Sequence, residues 1–393
     1  MSQDSIVIVG MARTPMGGLL GDLSSVKASD LGATAISGAL SSAGLDAADI
    51  DETIMGCVLP AGQGQAPARQ ASLKAGLPKE TGAVTINKMC GSGMKAMMQA
   101  HDAIKAGSND IVVAGGMESM SLAPHMMPSG RTGIKYGAGQ ILDHMALDGL
   151  TDAYGGEPMG VYAELCAEHY QFTREAQDAY AIESLKRAQA AMENNAFEGE
   201  IVPVTVKSRR GDTEFITDEQ PPKARLDKIP NLRPAFKKDG TVTAANASSI
   251  SDGAAAVVMM SAAEAEKRGL TPLATLKAHA EFAHAPEWFT TAPVTAIKKV
   301  LDKAGWSVED VDLFEVNEAF AVVAMAAMQE LGLDYDKVNV NGGACALGHP
   351  IGASGARICV TLINALKKRG LKKGIASLCI GGGEATAVAI ELN

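Results

Sequence analysis

The chain has 393 residues and a mass of 40.6 kDa, which predicts two or three domains at the usual size of about 100–200 residues each. Its 35 basic and 45 acidic side chains give a formal net charge of −10, which argues against a broad surface for nucleic acid or an anionic membrane. Hydrophobic residues make up 47% and no run reaches about 18 apolar residues, so the composition indicates a globular protein without a membrane span.

The first 120 residues alternate β-branched runs with amphipathic stretches, the pattern of an α/β fold. The predicted elements are the strand 6–9, the helix 31–43, the strand 84–87, the helix 94–106 and the strand 111–114. Gly91-Ser92-Gly93 predicts a turn before the second helix, and Gly115-Gly116 follows the last strand.

The composition changes between residues 121 and 245, where Pro, Gly, Met and charged residues replace the strand pattern. One strong helix is predicted over 174–194, with Thr173 as its N-cap. We expect this segment to be inserted over the core. The predicted strand 255–260 then returns to the first α/β unit, and the alternation resumes from about residue 271.

The two ends of the chain resemble each other. The strand 84–87, the glycine turn and helix after it, and the strand that leads to Gly115-Gly116 match a second set in the last third of the chain. That set runs from 338–341 through Ser354-Gly355 to Gly381-Gly382-Gly383. Such a repeat predicts two similar α/β halves packed face to face, with a site at their junction that draws residues from both.

Cys90 is a candidate nucleophile. It lies between a predicted strand and a predicted helix, so its thiol is expected at a helix N-terminus, where partial positive charge favours the thiolate. A buried structural cysteine is the ordinary alternative for a single thiol. The flanking glycines favour the nucleophile, because they give a substrate access to backbone N–H groups.

Three further polar residues occupy similar turns. His349 lies in a glycine-rich loop in which Pro350 fixes one backbone dihedral, as a positioned base requires. Cys379 precedes three glycines at the end of a strand, the edge where α/β sheets bind ligands. Asn317 lies between an apolar strand and an apolar helix, and is either an N-cap or an amide that orients a water or an oxyanion.

Other kinds of site have less support. The glycines around Ser92 match a dinucleotide fingerprint weakly, with Glu118 at the distance of a ribose contact, but a cysteine precedes the first glycine. The chain contains no P-loop motif. The six cysteines are scattered, with no paired Cys or His spacing, so neither a zinc or other metal site nor a disulfide framework is expected.

Taken together, these motifs resemble the thiolase family over essentially the whole chain, and within it the short-chain acetoacetyl-CoA thiolases. The matching segments, in order, are 87–96, 114–120, 317–320, 341–357 and 379–383. The resemblance implies the thiolase fold, in which two similar α/β halves pack in layers with an inserted loop domain. The N-terminal half would be 1–120 completed by 246–270, the inserted domain 121–245, and the C-terminal half 271–393.

The resemblance also implies an activity, the reversible Claisen condensation of two acetyl-CoA to acetoacetyl-CoA and CoA. Cys90 would carry the acetyl group as a thioester, His349 would accept its proton, and Cys379 would remove a proton from the second acetyl-CoA. One oxyanion site would be His349 with a water held by Asn317, and another the backbone N–H groups of Cys90 and Gly381. No metal or redox cofactor is expected, because the thioester itself acidifies the adjacent C–H.

The inserted domain would hold coenzyme A. The residues that the resemblance assigns to CoA or substrate are Met159, Arg225, Phe236, Ala244, Ser248, Phe289 and Phe320. The chain departs from the family at Pro158, where relatives commonly have His, and in the slightly short stretch 219–231 beside Arg225. Phe289 replaces a Met of several relatives, and with Val316 it predicts tolerance of a 2-methyl branch.

Two alternatives differ in their residues. A decarboxylating or HMG-type condensing enzyme of the same superfamily would use a His/His or His/Asn set in place of Cys379. A non-catalytic acyl-CoA or lipid carrier would not need the complete catalytic set. We further expect a homotetramer with contacts from 121–145. The absence of a basic leader or a peroxisomal C-terminus predicts a cytoplasmic protein without nucleic-acid or membrane partners.

Overall fold

The computed structural model describes residues 5–209 and 211–393. The five elements predicted in the N-terminal part are all present. β5 is longer than predicted, because Gly115 and Gly116 still pair with the neighbouring strand at Ala256 and Ala255. The elements are β1 (Ile6–Arg13), β2 (Gly17–Gly18), α1 (Ala28–Ala43), β3 (Glu52–Gly56), α2 (Pro67–Lys74), β4 (Gly82–Ile86), α3 (Ser92–Lys105) and β5 (Ile111–Ser119).

The middle segment has more regular structure than its composition predicts. Its elements are β6 (His125–Met126), β7 (Leu142–Asp143), a π-helical turn (Met145–Leu150), α4 (Met159–Tyr170), α5 (Arg174–Glu193), β8 (Val204–Val206), β9 (Thr213–Phe215) and α6 (Gln220–Lys223). The prediction of α5 is confirmed, and its N-cap Thr173 accepts the N–H of Ala176 at 3.2 Å. The helix α4 was missed. Its N-cap is Pro158, a residue that in sequence also reads as a break.

The last third contains β10 (Ser251–Ser261), α7 (Ala262–Lys267), β11 (Ala274–Ala283), α8 (Ala292–Ala304), β12 (Leu313–Val316), α9 (Ala321–Leu331), α10 (Ala344–Leu347), α11 (Ser354–Arg369), β13 (Lys373–Ile380) and β14 (Glu384–Leu392). The strand that was predicted over 338–341 is wrong. Only Val338 makes a bridge, to Phe314, because the chain turns where Asn339 and Gly342 adopt positive φ angles of 48° and 79°. No helix in the described part of the chain is long and apolar enough to cross a membrane.

One large sheet joins two similar halves. Its strand order is β12-β13-β14-β11-β1-β10-β5-β3-β4, with β2 beside β10. The antiparallel strands β1 and β11 pair at the centre of the sheet. From β1 the sheet continues through β10, β5, β3 and β4, and from β11 it continues in the same way through β14, β13, β12 and the bridge at Val338. In both halves the ladders nearest this pair are antiparallel and the outer ones parallel. The predicted internal repeat is therefore confirmed.

Helices α3 and α11 pack between the halves. Met97 of α3 and Ile363 of α11 share one apolar cluster with Ile8 of β1 and Leu378 of β13. The opposite face of the N-terminal half is covered by α1 and α2, and that of the C-terminal half by α8 and α9. Layers of helix and sheet thus alternate, which confirms the predicted layered α/β architecture. The domain boundaries stay a prediction.

The first turns of α3 and α11 approach each other closely. A Cβ atom on Gly93 would lie 2.8 Å from the backbone nitrogen of Ala356, and one on Gly355 would lie 2.4 Å from that of Met94. Only glycine allows this separation at both positions. The turns that precede the two helices, which carry Cys90 and His349, therefore lie together at the junction of the halves.

Candidate active site

Cys90 lies immediately before α3, whose N-cap is Gly91. The preceding residue, Met89, has a positive φ of 46°, an uncommon conformation for a side chain of this size. The Cys90 side chain is half-buried. Burial raises the pKa of its thiol to about 11, although the N–H groups of Gly381 and of Cys90 itself point toward the sulfur and lower it. Desolvation thus opposes the effect of the helix terminus and disfavours the expected thiolate in the free protein.

His349 is buried, and its tautomer follows from its partners. The Ser354 hydroxyl donates to the carbonyl of Pro350 at 2.9 Å, so it must accept at 2.5 Å from Nδ1–H of His349. The other ring nitrogen, Nε2, therefore carries a lone pair, and it has no protein partner among the described residues. Burial and the nearby Arg357 lower the pKa of His349 to about 3, which makes it a neutral base at pH 7.

Asn317 follows β12, where its backbone N–H donates to the carbonyl of Ser377 at 2.9 Å. Its side chain is 1% exposed, yet neither Oδ1 nor Nδ2 has a hydrogen-bond partner among the described residues. The N-cap alternative is wrong, because α9 begins only at Ala321. A buried amide with both ends unpartnered is costly unless water or a ligand satisfies it. Asn317 thus has the properties expected of a water-holding residue.

Cys379 and Gly381 lie at the C-terminal end of β13. The Cys379 thiol is fully buried, and burial together with the neighbouring Cys90 raises its pKa well above the usual value. After β13 the chain turns through Gly382 and Gly383, whose φ angles are 96° and 86°. This turn directs the N–H of Gly381 to the Cys90 thiol. The structure therefore brings the two predicted cysteines and the predicted oxyanion donor together.

Two buried carboxylates, which the sequence did not assign to the site, hold the backbone around it. Glu118 accepts the N–H of Val58 at 2.9 Å, of Leu59 at 3.1 Å and of Gly352 at 2.9 Å. These hydrogen bonds connect the loop that contains His349 to the N-terminal half. Because the carboxylate is buried and used in this way, the alternative in which Glu118 contacts a ribose is wrong. Burial raises its pKa to about 7.

Glu318, beside Asn317, is the second of these carboxylates. It accepts hydrogen bonds from Tyr180, Ser184, Asn339 and the N–H of Cys345 at 2.8–3.0 Å. Both glutamates belong to motifs quoted for the resemblance. In the sequence, the position of both glutamates within these motifs was the signal that could have identified them.

The apolar residues assigned to substrate form a connected wall. A Cβ atom on Gly381 would lie 3.6 Å from the Met159 methyl group, so Met159 covers the turn after β13. The Phe236 and Phe320 rings are 6.0 Å apart, and those of Phe289 and Phe320 are 6.3 Å apart, both edge to face. The N–H of Ser248 donates to the carbonyl of Ala319 at 2.9 Å, beside Phe320.

A cavity of about 340 Å³ is lined by a different set of residues. Arg225 and Ala244, both predicted, line it, together with Lys223, Lys228 and Cys345, which were missed. Ser249 also lines it, and the carbonyl of Ser249 accepts the N–H of His349 at 3.1 Å, so one lining residue contacts the loop that contains His349. Lys223 and Lys228 lie on either side of the predicted Arg225, whereas Cys345 comes from a distant segment that no spacing in the sequence relates to them. The Arg225 guanidinium forms an exposed ion pair with Asp227 at 3.1 Å.

Comparisons with known proteins agree with this geometry. The family model of the thiolase N-terminal domain matches residues 6–263, and that of the thiolase C-terminal domain matches residues 270–392. The fold and the site thus define a member of the thiolase class, and the chain belongs to the thiolase family.

Individual relatives match over almost the full chain. An acetyl-CoA acetyltransferase of Cupriavidus necator is 53% identical over 388 residues, 98% of this chain and 99% of the relative. Acetyl-CoA acetyltransferase 2 of Arabidopsis thaliana is 52% identical over 390 residues, 98% and 97% of the two chains. The crystal structure of a thiolase from Ascaris suum in complex with coenzyme A superposes with a TM-score of 0.93 at 44% identity, covering 99% of this chain and all of that one.

Proposed function

We propose that this protein is an acetyl-CoA C-acetyltransferase that catalyses the reversible condensation of two acetyl-CoA to acetoacetyl-CoA and CoA. One observation carries the proposal. At the junction of the halves, the Cys90 and Cys379 thiols lie beside each other, close to the turn whose His349 keeps a free lone pair on Nε2. Relatives at about 50% identity over the whole chain are named for this activity.

In the first half-reaction, Cys90 would transfer its proton to Nε2 of His349 while its sulfur attacks the carbonyl carbon of acetyl-CoA. The negative charge that develops on the carbonyl oxygen would be stabilised by the N–H groups of Gly381 and Cys90. Collapse of this intermediate breaks the bond to CoA and leaves acetyl-Cys90. The departing sulfur would take the proton of Cys379, which becomes a thiolate.

In the second half-reaction, the Cys379 thiolate would remove a proton from the methyl group of a second acetyl-CoA. The resulting enolate oxygen would accept a hydrogen bond from protonated His349 and another from a water held by Asn317. The carbanion then attacks acetyl-Cys90, acetoacetyl-CoA forms, and the released Cys90 sulfur recovers its proton from His349. Burial disfavours each isolated charge, as the pKa shifts of these groups indicate, so the imidazolium and the thiolate would form as a pair.

Coenzyme A would occupy the cavity lined by Lys223, Arg225 and Lys228, whose positive charges suit its phosphates. The pantetheine arm would then extend past Ser249 toward the turn that contains Gly381. Met159, Phe236, Phe289 and Phe320 would line the part nearest the acyl group.

Replacement of Arg225 by alanine is expected to raise the KM for acetyl-CoA about 3- to 10-fold with little change in kcat, because the guanidinium contacts a remote part of the substrate and is exposed. Initial rates over a range of acetyl-CoA concentrations measure both parameters. Lys79→Ala removes an exposed cation that does not line the cavity, and it serves as the matched control. An unchanged KM in Arg225→Ala would remove Arg225 from the CoA site.

The experiment that tests the function is cleavage of acetoacetyl-CoA by the purified protein and CoA, followed by the loss of the enolate absorbance. The same assay with 2-methylacetoacetyl-CoA tests the acyl pocket, where we expect cleavage because Phe289, buried against Phe320, occupies the position at which several relatives have Met. No turnover of either compound, with longer 3-ketoacyl-CoA also inert, would contradict the proposal and favour an acyl-CoA carrier. Turnover of acetoacetyl-CoA alone would contradict the branched specificity.

A homotetramer, in which residues 121–145 make contacts, remains part of the proposal, as does a cytoplasmic location. Exposed apolar side chains in this segment support the contact. Tyr136 is fully exposed and Ile141 is 64% exposed, whereas a monomer gains nothing from such residues. The mass of the native particle would test the assembly.

A further inference from the structure

His101, Asp102 and His279 meet on the surface, away from the residues assigned to the reaction. His101 and Asp102 lie in the C-terminal part of α3, and His279 lies on β11 in the other half of the protein. Oδ1 of Asp102 is 3.0 Å from Nδ1 of His101 and 2.9 Å from Nε2 of His279. One ligand atom from each of the three residues lies within 4.8 Å of the other two. Among the described residues, no other group of three or more His, Cys, Asp or Glu side chains meets this criterion.

We propose that these three side chains form a binding site for a divalent transition-metal ion of the zinc, cobalt and nickel class. Two imidazoles and one carboxylate are ligands that these ions accept, and three protein ligands leave positions for water. Nothing in the thiolase chemistry described above uses the three residues, and their spacing in the sequence does not indicate a metal site, since Asp102 and His279 are 177 residues apart.

Two of the three distances between ligand atoms can be compared with those around a metal ion. Ligand atoms about 2.1 Å from a metal are about 3.0 Å apart at neighbouring octahedral positions and about 3.4 Å apart in a tetrahedron. The two distances to Asp102 already match the octahedral value. The two rings lie edge to face with centroids 5.0 Å apart, so both can present a nitrogen to one point.

Some of the charges near the cluster favour the binding of a cation and others oppose it. The C-terminal end of α3 adds partial negative charge, which favours a cation. Lys105 and Lys277 line a cavity beside His101, and Lys303 donates to the carbonyl of His279. These three positive charges reduce the affinity, and Glu391 partly offsets them through its pair with Lys277.

Binding would connect the two halves. α3 begins two residues after Cys90, while β11 belongs to the C-terminal half, so the ion would crosslink the nucleophile's helix to the opposite half. A ligand that binds only the folded state raises the melting temperature, and the increase continues with the logarithm of the ligand concentration above Kd.

Titration of the intact protein with Co²⁺ tests the site, because cobalt bound by histidine and carboxylate lacks the charge-transfer bands that thiolate ligands produce. We expect saturable binding of one ion per chain without such bands, a higher Tm, and competition by Zn²⁺. Asp102→Asn and His279→Gln are expected to weaken binding at least about 100-fold. His125→Gln, which removes an exposed histidine outside the cluster, is expected to bind as the wild type does.

Three results would overturn the proposal. The first is no saturable binding. The second is thiolate bands at one ion per chain, which place the metal at Cys90 and Cys379 instead. The third is binding that survives both Asp102→Asn and His279→Gln, with circular dichroism showing that the variants are folded.

Discussion

Replacement of Cys90 by alanine is expected to reduce kcat for acetoacetyl-CoA cleavage at least about 10⁴-fold. Cys90 is the thiol toward which the N–H of Gly381 points, and the reaction needs a covalent acyl carrier at that place. Mass spectrometry of the protein after incubation with acetyl-CoA is expected to show one acetyl group on the peptide that contains Cys90, and none in the variant.

The matched control is Cys359→Ala, which removes a buried thiol from α11 outside the site. We expect it to lower stability modestly and to retain activity. An acetylated Cys90→Ala protein, or one with more than a few per cent of the wild-type rate, would contradict the assignment of the nucleophile.

The pH dependence of alkylation gives a second measurement on the same residue. A pKa of about 11 is higher than the ordinary value of 9.0, so the thiolate fraction of Cys90 is small at pH 7 and increases with pH. The rate of modification by iodoacetamide is therefore expected to rise about tenfold per pH unit from 7 toward 10. A plateau near neutral pH would mean that Cys90 and His349 form an ion pair in the free protein.

Replacement of Cys379 by serine is expected to separate the two half-reactions. The overall rate in either direction should fall about 10²- to 10⁴-fold, because the group that moves the proton at carbon is lost. Acetylation of Cys90 needs no C–H cleavage but uses the Cys379 proton for the departing CoA sulfur, so exchange of labelled CoA into acetyl-CoA should fall, though less than the overall rate. Deuterium exchange into the acetyl methyl group should be lost.

These two exchange rates distinguish a catalytic Cys379 from a structural one. Serine has nearly the same shape as cysteine, so the buried position at the end of β13 is preserved. Equal loss of both exchange reactions would contradict a separate role of Cys379 at carbon and would assign it to the fold or to acyl transfer alone. Retention of the methyl exchange would assign the carbon acid step to another base.

Much of the fold was predictable from local patterns. The strands β1 and β5 and the helices α1, α3 and α5 follow from periodicity and from caps such as Thr173. The internal repeat was visible because glycine turns recur at equivalent places in both halves. The helix α4 was missed because its start at Pro158 depends on packing against Phe236 and Gly381, which no local pattern reveals.

The candidate site was predictable in its residues but not in its electrostatics. Motifs identified Cys90, His349 and Cys379, whereas the state of each depends on how much of the chain surrounds it. The helix terminus before α3 suggested a thiolate, and burial reverses that effect. The cavity lined by Lys223 and Cys345 comes from segments that are distant in sequence, and so does the meeting of Asp102 with His279.

The antiparallel pair of β1 and β11 makes one continuous sheet out of two halves. In the proposed mechanism each half supplies only part of the chemistry, Cys90 on one and His349 and Cys379 on the other, so neither half is expected to turn over substrate by itself. A molecule in which the two halves do not pair correctly is therefore expected to lose both half-reactions. Partial proteolysis or heating that separates the halves should end acylation of Cys90 together with condensation.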